Sequence, residues 1–470
     1  MLRNLTLKNY LDKVQAKEIS PADVLSEIDA AIVSDNKKFN IYLASNPNAH
    51  TEANERVSLP LGGAPIAVKD NFLTKGIETT ASSNILKDFI PPYESTVTTK
   101  LQAAGGVIIG KTNMDAFAHG SSTETSDFGV TKNPRNPEYL PGGSSGGTAA
   151  AVASDLCIAG IGSETAGSIR QPSSWCGIVG LKPTYGRCSR YGVVAMGSSL
   201  DSPGPMGKTV EDCAILLNHI AGHDPYDGTT STQTVPDFTN ALMQGVKGMR
   251  VGITYIDHAQ LTGTPAAEAV KNAGKILEAA GAIVEYVPLS ESLEDGKILS
   301  PDLAIAVYTV VQRSEVSSNL GRFDGIRYGQ DRSHFGAEAR RRLMLGTFTL
   351  SKGYADKYYV KGQQVRTLYR KNYESLFEKY DILISPSSPG YAQKIGASAD
   401  NPMFGELEDM LMEPSSISGL CGLNVPMGHD ATTNLYLGLN IVAPMWQEER
   451  VIRAGNVFEA ATNFNSWKQK

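Results

Sequence analysis

The sequence lacks several features that would by themselves indicate a class of protein. It has no block of lysine and arginine, and its formal net charge is −6, which argues against nucleic acid as a direct and extensive ligand. No apolar run approaches the roughly 20 residues that span a bilayer, and the mixed charges of the N-terminus argue against a signal peptide. We therefore expect a cytoplasmic protein with no membrane contact.

Cysteine and histidine are also scarce. The five cysteines are scattered, odd in number and without a CxxC motif, which favours a reducing compartment over a disulfide framework. The seven histidines show no HExxH and no paired spacing. We expect neither a metal site nor a cofactor in this chain.

The sequence does contain a repeated alternation of strand and helix patterns over its 470 residues. Residues 65–68 predict a buried strand, Val210–Ile220 a short helix, and residues 249–287 a strand, a helix opening at Pro265 and a second strand. Residues 180–191 are expected to form a loop that carries cations, and residues 201–205 a turn. The alternation indicates an α/β sheet covered by helices.

We predict two parts of very different size. Residues 1–60 are expected to form an N-terminal helical segment packed on the core, with Ser20 capping a helix that starts at Pro21. Residues 61–470 are expected to form a single domain. Its polar, turn-prone stretch at residues 223–235 is a candidate internal seam.

Two clusters of serine among glycine stand out, GGSSGG at residues 142–147 and AGS at residues 166–168. Glycine allows unusual backbone angles or lets the backbone approach a ligand closely. Catalysis, a phosphate cradle and a structural turn all fit this pattern. A flexible linker fits poorly, because the apolar residues between the clusters are typical of a core.

Motif tests narrow these alternatives. The P-loop pattern fails because Gly147 is followed by Thr148 with no lysine, and the dinucleotide pattern fails because Thr165 stands at its third glycine. A Ser-His-Asp site stays open, since its members can be distant in sequence. In a Ser-Lys arrangement, Lys69 at the end of a predicted strand would act as base if it were buried and neutral. A lysine at a strand end is more often a surface residue.

Three linked motifs resemble the amidase signature family: APIAVKDN at residues 64–71, GGSSGGTAAAVA at residues 142–153, and GSETAGSIRQP at residues 162–172. The resemblance covers nearly the whole chain. It implies the amidase-signature fold, a large mixed β-sheet core covered on both faces by helices. It also implies an enzyme with a Ser-Ser-Lys triad in which Ser168 is the nucleophile, Ser144 the proton bridge and Lys69 the base.

Further segments resemble the A subunits of tRNA-dependent amidotransferases within this family. They are GKTNMDAFAHGSSTE at residues 110–124, GLKPTYGRCSRYGVVAMGSSLD at 180–201, RFDGIRYG at 322–329 and RRRLMLGTF at 340–348. This resemblance implies a glutaminase that delivers ammonia to a partner, which amidates Glu-tRNA(Gln) or Asp-tRNA(Asn). The implied partners are a B and a C subunit, with ATP, magnesium and most of the tRNA contact on the B subunit. A stand-alone amidase and a weakened assembly subunit are the alternatives.

The resemblance also implies further site residues. The backbone amides of Thr165, Ala166, Gly167 and Ser168 would form the oxyanion hole. Glutamine would be held by Arg342 on its carboxylate and Asp409 on its ammonium, with Tyr308, His119 and Ser121 lining the pocket.

The chain departs from the family pattern at several positions. The usual D-T-G-G-S is here Glu164 to Ser168 with Ala166 in place of glycine, and Ala116 and His119 stand where Glu and Met are usual. We expect Glu164 to pair with Arg170. A positive φ at Ala166 would cost about 1 kcal/mol and displace an oxyanion donor.

Overall fold

In the computed structural model, which describes residues 1–326, 329–399, 401–465 and 467, eleven of the thirteen described strands form one large sheet. The strands of the described residues are β1 Tyr42–Ser45, β2 Pro65–Lys69, β3 Val107–Thr112, β4 Ala159–Glu164, β5 Val179–Lys182, β6 Ser202–Gly207, β7 Arg250–Ile253, β8 Ile283–Tyr286, β9 Leu289–Ser290, β10 Ile298–Leu299, β11 Ile382–Pro386, β12 Cys421–Asp430 and β13 Leu435–Ala443. The sheet has the order β1-β3-β2-β4-β6-β5-β12-β13-β11-β7-β8, and β9 pairs with β10 separately.

Helices surround this sheet. Within the same described residues the α-helices are α1 Leu7–Gln15, α2 Pro21–Phe39, α3 Ala49–Glu55, α4 Thr96–Ala103, α5 Gly146–Ala153, α6 Arg170–Cys176, α7 Val210–Ile220, α8 Pro265–Ala279, α9 Pro301–Leu320, α10 Ala337–Leu350, α11 Lys361–Lys379, α12 Phe404–Asp409, α13 Glu413–Ile417 and α14 Glu448–Ala460. Asp356–Val360 forms a π-helical turn before α11.

The sheet is mixed and is covered on both faces. Strand β2 is parallel to β3 and β4, whereas β12 is antiparallel to β5 and β13. Every residue of β2, β3 and β4 is buried. Because successive side chains of a strand point to opposite faces, such strands must be covered on both sides.

Helices α6 and α14 show this covering directly, since they contact opposite faces of β12. Gly455 of α14 lies against Leu423, whereas Arg170 of α6 lies against Gly422, the preceding residue of the strand. The predicted α/β sheet covered by helices is therefore confirmed, and it is the large mixed sheet that the family resemblance implied.

Several local predictions are confirmed as well. Ser20 caps α2 by accepting a hydrogen bond from the backbone of Asp23. Helix α7 has the predicted bounds, and the strand, helix and strand predicted for residues 249–287 are β7, α8 and β8.

Two predictions near the middle of the chain are wrong. Part of the loop expected at residues 180–191 belongs to β5, and the turn expected at residues 201–205 lies mostly within β6. Prolines normally disfavour a central strand because they lack an N–H group. Within β6, only Met206 and Gly207 pair with β5. The two prolines of β6 pair with β4 alone, so no hydrogen bond to a second neighbouring strand is lost there.

The N-terminal residues pack closely on the rest of the chain. The backbone N–H of Leu7 donates to Asp212 Oδ1 at 2.9 Å, and the Tyr10 hydroxyl donates to the carbonyl of Gly62 at 2.9 Å. Strand β1 also joins the sheet beside β3. The domain boundary after residue 60 and the seam at residues 223–235, a stretch without helix or strand, stay predictions.

Candidate active site

Lys69 lies at the end of β2, in the buried interior of the sheet, and has no exposed surface. Its Nζ is 2.7 Å from Ser144 Oγ and 3.0 Å from the carbonyl oxygen of Ser163. The surface role that is commoner for a lysine at a strand end is therefore excluded. The structure brings together two residues that are 75 positions apart in the chain.

Burial lowers the pKa of Lys69 to about 7, although the carboxylates of Asp115, Asp201 and Glu164 act in the opposite direction. Near neutral pH a large share of this amine is uncharged. A neutral amine has two N–H donors and one lone pair. One donor suits the Ser163 carbonyl, and the lone pair is then free to accept the hydroxyl proton of Ser144.

The loop that carries Ser144 leads into α5, and its glycines make room for the backbone. A Cβ on Gly143 would overlap the carboxylate of Asp115, and one on Gly147 would overlap the backbone of Asn113. Glycine is needed at these positions because other parts of the chain approach so closely. At these two glycines the backbone is therefore approached by other parts of the chain itself.

The two serine clusters meet through Ser145. Its backbone N–H donates to the carbonyl of Ser168 at 3.1 Å, and its hydroxyl donates to the carbonyl of Ser163 at 3.2 Å. Ser168 itself lies in the turn between β4 and α6, and only 3% of it is exposed. Lys69, Ser144 and Ser168 thus share one buried backbone framework.

An ion pair fixes the turn that carries Ser168. Glu164 Oε1 accepts from Arg170 Nε at 2.9 Å, and Glu164 Oε2 accepts from the backbone N–H groups of Ile169 and Arg170, both at 3.1 Å. Arg170 continues to Asn440 Oδ1 at 2.8 Å, on β13. The expected pairing of Glu164 with Arg170 is confirmed, and it ties both ends of the turn to the sheet.

The turn has room for a side chain at Ala166 but not at Gly167. Ala166 does not lie in the left-handed region of the backbone, so the strain that we considered for its methyl group does not arise. Its carbonyl oxygen accepts from Ser416 Oγ, which holds the peptide in place. At Gly167, by contrast, a Cβ would overlap the carboxylate of Asp409 and the side chain of Met412.

Tyr308, on α9, contacts the same turn from the other side. Its hydroxyl lies 3.0 Å from Thr165 Oγ1. Burial raises the pKa of Tyr308, so its hydroxyl stays protonated at neutral pH. Through this contact the Tyr308 hydroxyl helps to hold the turn of the predicted oxyanion hole.

Asp409, the last residue of α12, combines one satisfied and one free oxygen. Oδ2 accepts from Ser121 Oγ at 2.7 Å, whereas Oδ1 is buried and has no hydrogen-bond partner among the described residues. Burial raises the pKa of this carboxyl well above its usual range, and the nearby carboxylates of Glu164 and Glu406 add to the shift. A cationic ligand at Oδ1 would favour the ionised form.

Arg342, on α10, is buried in an ion-pair network. Its Nε donates to Glu338 Oε1 at 2.6 Å, and Nη2 lies 3.8 Å from Glu406 Oε1. Burial acts to lower the pKa of Arg342, but the two carboxylates outweigh it and raise the pKa. Nη1 has no partner within the described chain, so one arm of the guanidinium is free for a ligand.

Three of the predicted substrate-binding residues line one cavity of about 410 Å³: His119, Ser121 and Arg342. Asp409 joins this group through its hydrogen bond with Ser121. Neighbouring loops connect the cavity with both serine clusters, because Gly167 lies against Asp409 and Gly143 lies against Ser122. The arrangement offers a cation and a carboxylate next to a serine-lysine centre.

Reasoning from the sequence missed the partners that hold these groups. The Ser163 carbonyl, which contacts Lys69, gave no signal because every residue has a carbonyl. Glu338 could have been found, since it stands four residues before Arg342, a spacing that places the two side chains together on a helix such as α10. Arg327 and Tyr328, part of the segment at residues 322–329, lie outside the described residues.

The described residues contain no group of three or more His, Cys, Asp or Glu side chains placed to hold a metal ion. No helix among them is both long and apolar enough to cross a membrane.

Comparison with known proteins gave a family match over most of the chain. Residues 24–452 match the family described as Amidase. The chain is 44% identical to the A subunit of glutamyl-tRNA(Gln) amidotransferase from Desulfatibacillum aliphaticivorans, with 99% of each chain covered. It is also 44% identical to the protein of that name from Lachnospira eligens, with 98% of each covered.

A solved structure gives the same picture. The crystal structure of the A subunit of glutamyl-tRNA(Gln) amidotransferase from Thermotoga maritima superposes with a TM-score of 0.82 at 37% identity. The comparison covers 96% of this chain and 94% of that one. The likeness thus extends over nearly the whole chain.

Proposed function

The chain belongs to the amidase family, and we propose that it is the glutaminase subunit of a tRNA-dependent amidotransferase. It would hydrolyse glutamine to glutamate and ammonia and pass the ammonia to a partner. The observation that carries the proposal is the buried contact between Lys69 Nζ and Ser144 Oγ, in a chain so similar to amidotransferase A subunits.

The chemistry would begin at Ser168, whose hydroxyl oxygen attacks the carboxamide carbon of glutamine. Ser144 takes the proton of Ser168 and gives its own proton to the neutral amine of Lys69. The proton then returns by the same path to the leaving ammonia. The bond between carbon and nitrogen breaks, and a γ-glutamyl ester on Ser168 remains, which water hydrolyses.

The negative oxygen of the tetrahedral intermediate would be held by the backbone N–H groups of Thr165, Ala166, Gly167 and Ser168. Preformed donors of this kind stabilise developing charge without having to reorganise. The bonds of Glu164 and Arg170 to this turn support the role, because they fix its backbone before substrate arrives.

Recognition of the substrate would rest on the cavity beside this centre. Arg342 would bind the α-carboxylate of glutamine with its free Nη1, and Asp409 would bind the α-ammonium with its free Oδ1. Ser121 would orient Asp409, Tyr308 would support the turn at Thr165, and His119 would line the pocket.

The remaining steps of the overall reaction would belong to partners. We propose a B subunit that uses ATP and magnesium to activate the carboxylate of Glu-tRNA(Gln) or Asp-tRNA(Asn), together with a small C subunit. The B subunit would then choose the tRNA. The five cysteines, all buried and unpaired, support a reducing compartment, and we propose the cytoplasm.

The test is the release of ammonia from glutamine by the purified full chain, alone and with its partner subunits. We expect Ser168→Ala to lower the rate by about 10³-fold or more. Ser154→Ala, at the end of α5 and away from the triad, serves as the matched control and should leave the rate unchanged. The proposal fails if neither preparation releases ammonia, or if the Ser168→Ala variant releases ammonia at the same rate as the chain with Ser168.

A stand-alone amidase acting on another amide would give a different result. Such an enzyme would hydrolyse simple amides at rates similar to that of glutamine. Arg342→Ala would then leave the rates for glutamine and for simple amides unchanged.

A further inference from the structure

His119 is the residue of the cavity whose surroundings the proposed function leaves unexplained. It follows the short 3-10 helix Ala116–Ala118 and has no exposed surface. Both of its ring nitrogens are buried, and neither has a hydrogen-bond partner among the described residues. Leaving a buried polar group without a partner is unfavourable by about 1–3 kcal/mol, so a ligand that supplies one gains affinity.

The surroundings keep this imidazole neutral. Burial lowers the pKa of His119 well below its usual range, and the positive charge of Arg342 lowers it further. Arg313 and Arg341 act in the same direction, and the carboxylate of Glu338 only partly offsets them. A neutral imidazole has one N–H donor and one acceptor nitrogen.

The neighbours of His119 define what its N–H can bind. Arg342 lines the same cavity, and its Nη1 is likewise buried without a partner in the described chain. Phe117 lies beside the imidazole, with 6.0 Å between the ring centroids, and offers no strong acceptor. Glu338 and Glu406 also line the cavity, but both already accept from arginine side chains. The two donors that have no partner, on His119 and Arg342, therefore suit a ligand with two anionic oxygens, which is a carboxylate.

We propose that His119 is a specificity-determining residue that donates its ring N–H to the α-carboxylate of glutamine, beside Arg342. This inference rests on the proposed function, since it concerns the same substrate. In this role the carboxylate receives one hydrogen bond from the guanidinium and one from the imidazole. Asp409 would hold the ammonium on the side of Ser121.

Three amides separate this role from a general effect on the site. Glutamine has both head groups, glutaramate has the carboxylate without the ammonium, and 4-aminobutanamide has the ammonium without the carboxylate. The experiment measures kcat/KM for ammonia release from each amide, using the full chain with its partner subunits. The informative quantity is kcat/KM for each carboxylate-bearing amide divided by kcat/KM for 4-aminobutanamide.

The variants are chosen to keep the volume of the side chain. His119→Met fills a similar space without an N–H donor, and His119→Gln restores a donor. We expect both ratios to fall about ten- to a hundredfold in His119→Met, the effect of losing a hydrogen bond to a charged group. In His119→Gln we expect them to recover in part.

Several results would overturn the inference while leaving the proposed function intact. One is a chain that hydrolyses glutamine but shows unchanged ratios in His119→Met. Another is an equal fall of the ratios in the Met and Gln variants, which would indicate packing and not donation. A third needs no variant: an unchanged chain that cleaves glutaramate no better than 4-aminobutanamide does not recognise the carboxylate. Absence of glutamine hydrolysis would instead reject the proposed function itself.

Discussion

Glutamine hydrolysis should slow on acidification with an apparent pKa near 7, because Lys69 must be neutral to accept the proton of Ser144. Burial in the sheet lowers the pKa of Lys69 to about 7 from its ordinary value of 10.5. With a pKa of 7, roughly 90% of the amine is neutral at pH 8 and about 10% at pH 6. The rate should therefore fall about tenfold between these two pH values. A lysine with the ordinary pKa would be neutral in only about 0.03% of molecules at pH 7.

The assay is kcat/KM for ammonia release from pH 5 to 8, since this parameter reports ionisations of the free enzyme. One other group needs a control, because burial raises the pKa of Asp201 to about 7 as well. Asp201→Asn removes that titration and also removes a negative charge that raises the pKa of Lys69. The fall in rate should then persist but move to lower pH. Asp115→Asn should move it in the same direction, for the same reason.

Lys69→Met provides the second control, and it should lower the rate by about 10² to 10⁴-fold at pH 8. A rate that is constant between pH 6 and 8 would refute the reasoning. So would a fall that vanishes in Asp201→Asn, because the titrating group would then be Asp201. A rate that changes tenfold per pH unit all the way up to pH 8, without levelling, would show that Lys69 keeps the pKa of an ordinary lysine and that burial does not act on it as we describe.

Three further predictions concern stability and are measured by urea denaturation. Gly346→Ala should lower the free energy of unfolding by about 1–3 kcal/mol and raise KM for glutamine. The reason is that a Cβ there would overlap the carbonyl of Arg313, where α10, the helix of Arg342, crosses α9. Unchanged stability and KM would show that these helices can separate freely. Arg170→Ala should lower the free energy of unfolding by about 3–5 kcal/mol, because it leaves the buried carboxylate of Glu164 without its partner, and a loss below 1 kcal/mol would contradict the buried ion pair. Leu423→Ala should lower the free energy of unfolding by about 2–5 kcal/mol, because it leaves a cavity between β12 and α14. The value of kcat should stay the same, and a fall in kcat would show that this part of the core also affects the site.

Local patterns predicted those elements of the fold whose signals lie within a few residues. Helix α7 has its capping residue Thr209 next to its apolar face, and α8 opens at Pro265 and ends just before Gly281. The strand β6 could not be found in this way, because Pro203 and Pro205 normally mark a turn. What makes it a strand is the pairing with β4, which is a property of the whole sheet and not of the local sequence.

The candidate site shows a similar limit. The sequence supplies a lysine and two serine clusters, but nothing in their spacing places Lys69 beside Ser144. That contact depends on the sheet order, in which β2 lies next to β4 and so brings the end of β2 beside the Ser163 carbonyl. Burial of the lysine, and hence its lowered pKa, follows from the same order. For these reasons the family resemblance, and not the spacing, predicted the arrangement.

The departures from the family pattern at Glu164 and Ala166 bear on whether the chain has lost activity. They are the only features of the sequence that would favour a weakened assembly subunit. Glu164, although one methylene longer than aspartate, accepts hydrogen bonds from Arg170 and from two backbone N–H groups of the turn. Ala166 has no positive φ that glycine would be needed to relieve. Neither change leaves a structural defect at the proposed oxyanion hole, so the argument for inactivity loses its basis. His119 is different, because neither of its buried ring nitrogens has a hydrogen-bond partner among the described residues. A methionine at this position would need no such partner. We therefore expect this chain to depart from the family pattern in how it recognises its substrate.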